Sequence, residues 1–177
     1  MDLAEPDIAE ALNARAAAGG WQIHCDSKLD CEHPALNELR DLWRQKCDAR
    51  LPARTDFSAR DLKVHLPFLT IYDILRAPSG TRYRHRYVGM AVVDRMGEMT
   101  GRTIDEILPA DQLARTQTYY DCVAATARAL RVVSDMRFTP VNYLRCETLL
   151  LPLAADGATP DMILGGWHFR IRDTLGV

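Results

Sequence analysis

The sequence predicts an α+β domain, an antiparallel sheet of five strands with helices gathered on one face. Three observations carry this. Two strand-like runs at 68–76 and 81–89 flank a turn, three more fill the last third of the chain, and the segment between them is helical in pattern. Strands grouped before and after a block of helices, instead of alternating with them singly, point to antiparallel pairing.

Residues 3–18 are rich in Ala and Leu, carry Pro6 near the start and stop at Gly19 and Gly20, which predicts a short helix. Residues 21–33 mix polar groups with Trp21 and Ile23 in no clear period and read as a linker. From Pro34 to Arg50, Leu36, Leu39, Leu42 and Trp43 recur at helical spacing among charged residues, an amphipathic helix. LPARTDFSARDLKVHLP then reads as a connector with a turn of helix around 58–64.

FLTIYDILR is β-branched and aromatic, TRYRHRYVG alternates for most of its length, and APSG between them supplies a hairpin turn. A simple register through that turn sets Asp73 opposite Arg84, a favourable cross-strand pair. Short helices follow at 90–96 and 103–107 around Gly97 and Gly101, then a long one at 111–129. The closing strands are 131–139, 143–153 and 162–171, with Asp156 and Gly157 as a turn signal. The chain divides into an extension at 1–33, the amphipathic helix and connector at 34–66, a core at 67–172 and a tail at 173–177.

Lys plus Arg number 22 against 24 for Asp plus Glu, so the net charge of -2 gives no global attraction to nucleic acid or anionic membrane. The longest apolar run, LLLPL at 149–153, falls far short of the roughly 20 residues a spanning helix needs. The N-terminus lacks an uninterrupted apolar segment, so a cytoplasmic location is expected. Five scattered cysteines, at 25, 31, 47, 122 and 146, fit free thiols better than a disulfide framework.

Trp43, the Pro52, Arg54 and Asp56 connector, HLPFLTIYDI at 65–74, YRHRYVG at 83–89, MGEMTGRTIDEILP at 96–109 and LLLPLAADG, taken in this order and spacing, resemble the PAS fold, and a bacterial subfamily of small PAS-like proteins in particular. The resemblance runs from about Leu36 to Phe169. It implies a five-stranded sheet of order 2-1-5-4-3, helices over one face around a small cavity, and a sensory or protein-interaction role without catalysis. The cavity it implies is bounded by Tyr83, His85 and Tyr87, which alternation places on one face, with Tyr119 or Cys122 from the long helix and Met136 or Phe138 from the third strand. The expected occupant is a small organic molecule.

Two cofactor chemistries of the resembled family are disfavoured. A flavin adduct needs a cysteine in an Asn-Cys-Arg setting, whereas Cys122 lies in DCVAA, and the long helix has no histidine to ligate haem. His24, Cys25, Cys31 and His33 are soft-metal ligands within ten residues, but their spacing is not that of a zinc knuckle, so no metal site is expected. The chain has no Gly-rich phosphate loop, no G-x-S-x-G elbow and no H-E-x-x-H helix. Asp105 and Glu106 are adjacent rather than facing, a poor acid and base pair, and Asp105 suits a helix end. His85 leaves open a small-molecule enzyme, and a filled core leaves open a ligand-free interaction module.

Arg82, Arg84 and Arg86 face away from the aromatic side, either as a basic stripe or as charges that protect an edge strand. The run at 149–153 is apolar at successive positions, so its strand needs cover on both faces. A homodimer is therefore expected through the outer sheet face, with Leu36, Leu39, Trp43, Ile163, Trp167 and Phe169 at the contact, and a separate signalling protein as downstream partner.

Overall fold

The hairpin closes as its sequence dictates. Ala77 pairs with Gly80 across Pro78 and Ser79, and Asp73 stands opposite Arg84. The computed structural model describes residues 7–136 and 144–171. Its helices are α1 (Ile8–Ala18), α2 (Pro34–Lys46), α3 (Ala59–Leu62), α4 (Met90–Met96), α5 (Ile104–Ile107) and α6 (Ala110–Thr126). Its strands are β1 (Ile23–Asp26), β2 (Leu69–Ala77), β3 (Gly80–Val88), β4 (Leu130–Met136), β5 (Leu144–Leu153) and β6 (Met162–Ile171). All pair antiparallel in the order β1-β4-β5-β6-β2-β3.

The order expected for the five strands is present, and a sixth joins its edge. Residues 21–33 are therefore not simply a linker, since Ile23–Asp26 pairs with β4. Its four residues are too few to show a period, and a side chain from α1 holds them. Asn13 Nδ2 donates to the Cys25 carbonyl at 2.9 Å and its Oδ1 accepts from the Cys25 amide at 2.7 Å. An asparagine thus completes the backbone bonding of an edge strand.

Helices lie on both faces of the sheet. On the inner face, Leu12, Val92, Tyr120 and Val123 from α1, α4 and α6 pack on Tyr72, Leu130, Leu150 and Ile163. On the outer face, Leu36 and Leu39 of α2, with Phe57 and Leu62, pack on Leu69, Ile71, Leu149, Leu151, Leu153 and Leu164. The apolar β5 run is thus covered on both sides, as its pattern requires.

The outer cover comes from the chain itself, which corrects the expected contact surface. Leu36 and Leu39 are 3 % and 1 % exposed, and the Trp43 indole donates to the Pro152 carbonyl at 3.0 Å. Gly166 permits this approach, because a Cβ there would stand 2.6 Å from Leu39 Cδ2 and 2.9 Å from Leu36 Cδ2. Ile163, Trp167 and Phe169 share a strand face, as alternation implies, but it is the inner one. The six residues do not form one exposed surface.

A buried charge pair fixes where α2 begins. Glu147 of β5 accepts from the amides of Glu32 and His33 at 2.7 and 3.1 Å, and Arg131 Nε donates to the same carboxylate at 2.6 Å. Arg131 also reaches Glu32, which pairs with Arg170. The incoming chain is thereby tied to three strands' worth of sheet before the helix starts.

Candidate functional site

The inner face and the helices α4 to α6 do not fill the space between them. A cavity of about 40 Å³, counted as room for the centres of water molecules, remains there. That is space for on the order of three waters. β2, β3 and β6 contribute Tyr72, His85 and Trp167, the segment from α4 to α5 contributes Met96, Met99, Ile104 and Ile107, and α6 contributes Gln112, Arg115, Thr116, Tyr119 and Tyr120. Ser134 and Thr148 close the wall on β4 and β5.

The aromatic part is a contiguous cluster. Tyr72 meets His85 with ring centroids 4.7 Å apart and the edge of Tyr120 at 4.9 Å, and Tyr120 in turn contacts Tyr83 and Tyr119 at 5.1 and 5.3 Å. The Trp167 indole is held by a 2.8 Å bond to Thr70 Oγ1. Such tilted and edge arrangements suit the ring quadrupoles and fix the wall in place.

His85 links the cavity to the loop that covers it. Its Nδ1 lies 3.0 Å from the Arg102 carbonyl, which only accepts, so Nδ1 carries the proton when the ring is neutral. Its backbone bonds the same stretch, donating to Arg102 O at 2.9 Å and accepting from Gly101 N at 2.7 Å. Burial lowers the His85 pKa below the ordinary value, against the opposing pull of the Arg102 carbonyl. Burial likewise raises Tyr72 to about 12 and lifts Tyr119 and Tyr120 further, so the cavity hydroxyls are protonated at neutral pH.

The cavity contains His85 and Tyr119 of the seven residues proposed from sequence. Tyr83 lies behind the wall, fully buried, with its hydroxyl donating to Asp121 at 2.6 Å. Tyr87 is on the opposite face, packed with the α2 layer and donating to Leu66 O, because the register shifts between Ile71 and Tyr72. The extra residue on β3 is Arg86, and one extra residue reverses the alternation. Cys122 lines a groove between α1 and α6. Met136 belongs to β4, with its side chain outside the described residues, as is Phe138 altogether.

The arginines of β3 are engaged. Arg84 and Arg86 converge on buried Asp73 at 2.8 and 2.6 Å, and Arg82 binds Asp105 at 2.8 Å and Glu106 at 3.4 Å. Asp105 therefore serves Arg82, while Glu106 accepts from the Thr103 amide at the start of α5. The four soft ligands near the N-terminus diverge: Cys25 lies in the inner core, Cys31 in the outer, His24 is exposed and His33 stacks on His168 at 3.7 Å. Burial raises both thiols to about 12, away from the thiolate form that binds metal.

Sequence reasoning missed Tyr72, Trp167, Gln112, Arg115 and Thr116. The four-residue spacing of Gln112 and Thr116, with Tyr119 three further on, marked one face of α6. No sequence signal told the inner face of β6 from the outer.

Residues 31–167 match the family model described as PAS domain. No curated protein matches the chain.

Proposed function

The chain belongs to the PAS domain family, a class of sensory and regulatory modules, and from that premise we propose that it senses a small organic molecule held in the inner cavity. The observation that carries this reading is the void itself, where aromatic rings and six polar side chains from both layers converge. The void has room for about three waters, so even a compact ligand must push the wall outward, and a flavin or haem would have to displace far more of it. His85 is read as a binding group: with Nδ1 donating to Arg102 O, its Nε2 is left as a hydrogen-bond acceptor. Occupancy acts by favouring one arrangement of the segment 97–103, which His85 joins to the edge strand on one side and to the ligand on the other.

A thermal-shift screen of small metabolites tests the reading. A ligand at about 100 times its Kd stabilises by about 2.7 kcal/mol, a Tm rise of roughly 5–10 °C for a chain of this size. Thr116→Leu, which adds bulk to the cavity wall, is expected to abolish the rise. No stabilising compound at millimolar concentration would favour the ligand-free interaction module, which the small size of the void supports.

We place the homodimer contact beside the hairpin, not on the outer sheet face. Met90, Phe68 and Leu66 are 68 %, 43 % and 37 % exposed, and they adjoin a groove of about 410 Å³ where β6 runs past its pairing with β2. Protruding and recessed apolar surface side by side suits a two-fold contact. Asp94 and Arg95 on the groove wall have opposite charge, so the same axis lets each meet the other's counterpart. Light scattering at micromolar concentration is expected to give twice the chain mass for the wild type and the monomer mass for Met90→Glu; a wild-type monomer would end this part of the proposal.

A further inference from the structure

The cavity's charge is one-sided. Of the residues that line it, Arg115 alone carries a full charge at neutral pH, and none is Asp or Glu. Arg115 is partly buried, and among the described residues no carboxylate lies within ion-pair distance of it. This sets it apart from the chain's other arginines that are shielded from water. Arg40 and Arg54 bond backbone carbonyls, Arg131 pairs with Glu147, and Arg128 is engaged as well. A guanidinium half removed from water without an anion is costly, and an anionic ligand removes that cost.

The neighbours of Arg115 on α6 have matching chemistry. The Gln112 amide and the Thr116 hydroxyl lie one turn apart on the cavity side of the same helix, so three hydrogen-bond donors share one wall. The remaining wall is aromatic and aliphatic, with Tyr72, Trp167, Met99 and Ile104. One positive charge and a small apolar chamber match a monoanion with a compact apolar body. A phosphate dianion is larger and more charged than one guanidinium balances.

Resting on the reading of this cavity as a ligand site, we infer that its ligand is a small organic monocarboxylate, with the carboxylate on Arg115 and the apolar body against Tyr72 and Trp167. The test uses matched probes on the full chain small enough for the void, namely acetate and propanoate, each beside its primary amide and its amine analogue, with binding followed by calorimetry. At least one acid is expected to bind tenfold or more tighter than its amide. Arg115→Met should erase that preference while leaving the ligand-free Tm within about 2 °C, and Arg115→Lys should keep part of it. Acids and amides binding equally, or amines binding best, would overturn the anion assignment and leave the cavity reading standing. If acids, amides and amines all fail to bind while the metabolite screen still yields a stabilising compound, the carboxylate assignment falls and the cavity reading stands; if that screen fails as well, both fall.

Discussion

Glu147 and Arg131 are 6 % and 7 % exposed, and the carboxylate also holds two backbone amides at the entrance to α2. Removing one partner of such a pair leaves a buried charge unmatched, at a cost of about 3–5 kcal/mol. Glu147→Ala is therefore expected to lower urea-unfolding stability by that amount, and the double change Glu147→Leu with Arg131→Met by less. The histidines set the response to mild acid. Burial lowers the pKa of His85, His65 and His168, with His33 and Arg170 adding to the effect at His168. The unfolded chain then binds protons that the folded chain refuses, so stability is full above the ordinary histidine value of about 6.5 and falls as pH drops below it. Unfolding free energy should decline between pH 7 and pH 5, by at most about 1.4 kcal/mol per pH unit for each group. His85→Gln, whose amide can still donate to Arg102 O, should make the decline shallower; an unchanged slope would remove His85 from this role.

At the level of elements, nearly every helix and strand was legible, because period and turn chemistry are local. Leu36, Leu39 and Trp43 declared α2, and Pro78 with Gly80 declared the hairpin and its Asp73 to Arg84 register. The misreadings have non-local causes. Tyr87 left its expected face through a bulge that one strand's alternation cannot reveal, since it depends on what stands opposite. β1 reads as linker in the sequence because its four residues are specified by β4 and by Asn13, twelve residues away from Cys25. Asn13→Ala should therefore act on that strand alone, costing about 1–2 kcal/mol and speeding hydrogen exchange at the Cys25 amide, while exchange in β5 stays unchanged. Fast exchange throughout the sheet would mean that Asn13 supports more than the edge.

At the scale of the molecule, the two apolar faces of the sheet were evident from LLLPL at 149–153, but what covers the outer one was not. That depended on Gly166, whose missing Cβ lets Leu36 and Leu39 reach the sheet and turns an expected interface into a second core. The same ambiguity hid half of the cavity. Alternation grouped Ile163, Trp167 and Phe169 correctly, yet a period of two cannot say which side faces the helices. His85 and Tyr119 were found because they sit on elements whose inner face was already known. The central claim is that a small molecule occupies this space, and methyl-labelled methionine NMR addresses it most directly. Met96 and Met99 line the cavity, whereas Met162 packs with the outer layer and Met90 is exposed. Titration with the most stabilising compound from the metabolite screen should shift the Met96 and Met99 resonances and leave Met90 and Met162 in place; shifts centred on Met90, or none at any methionine, would contradict it.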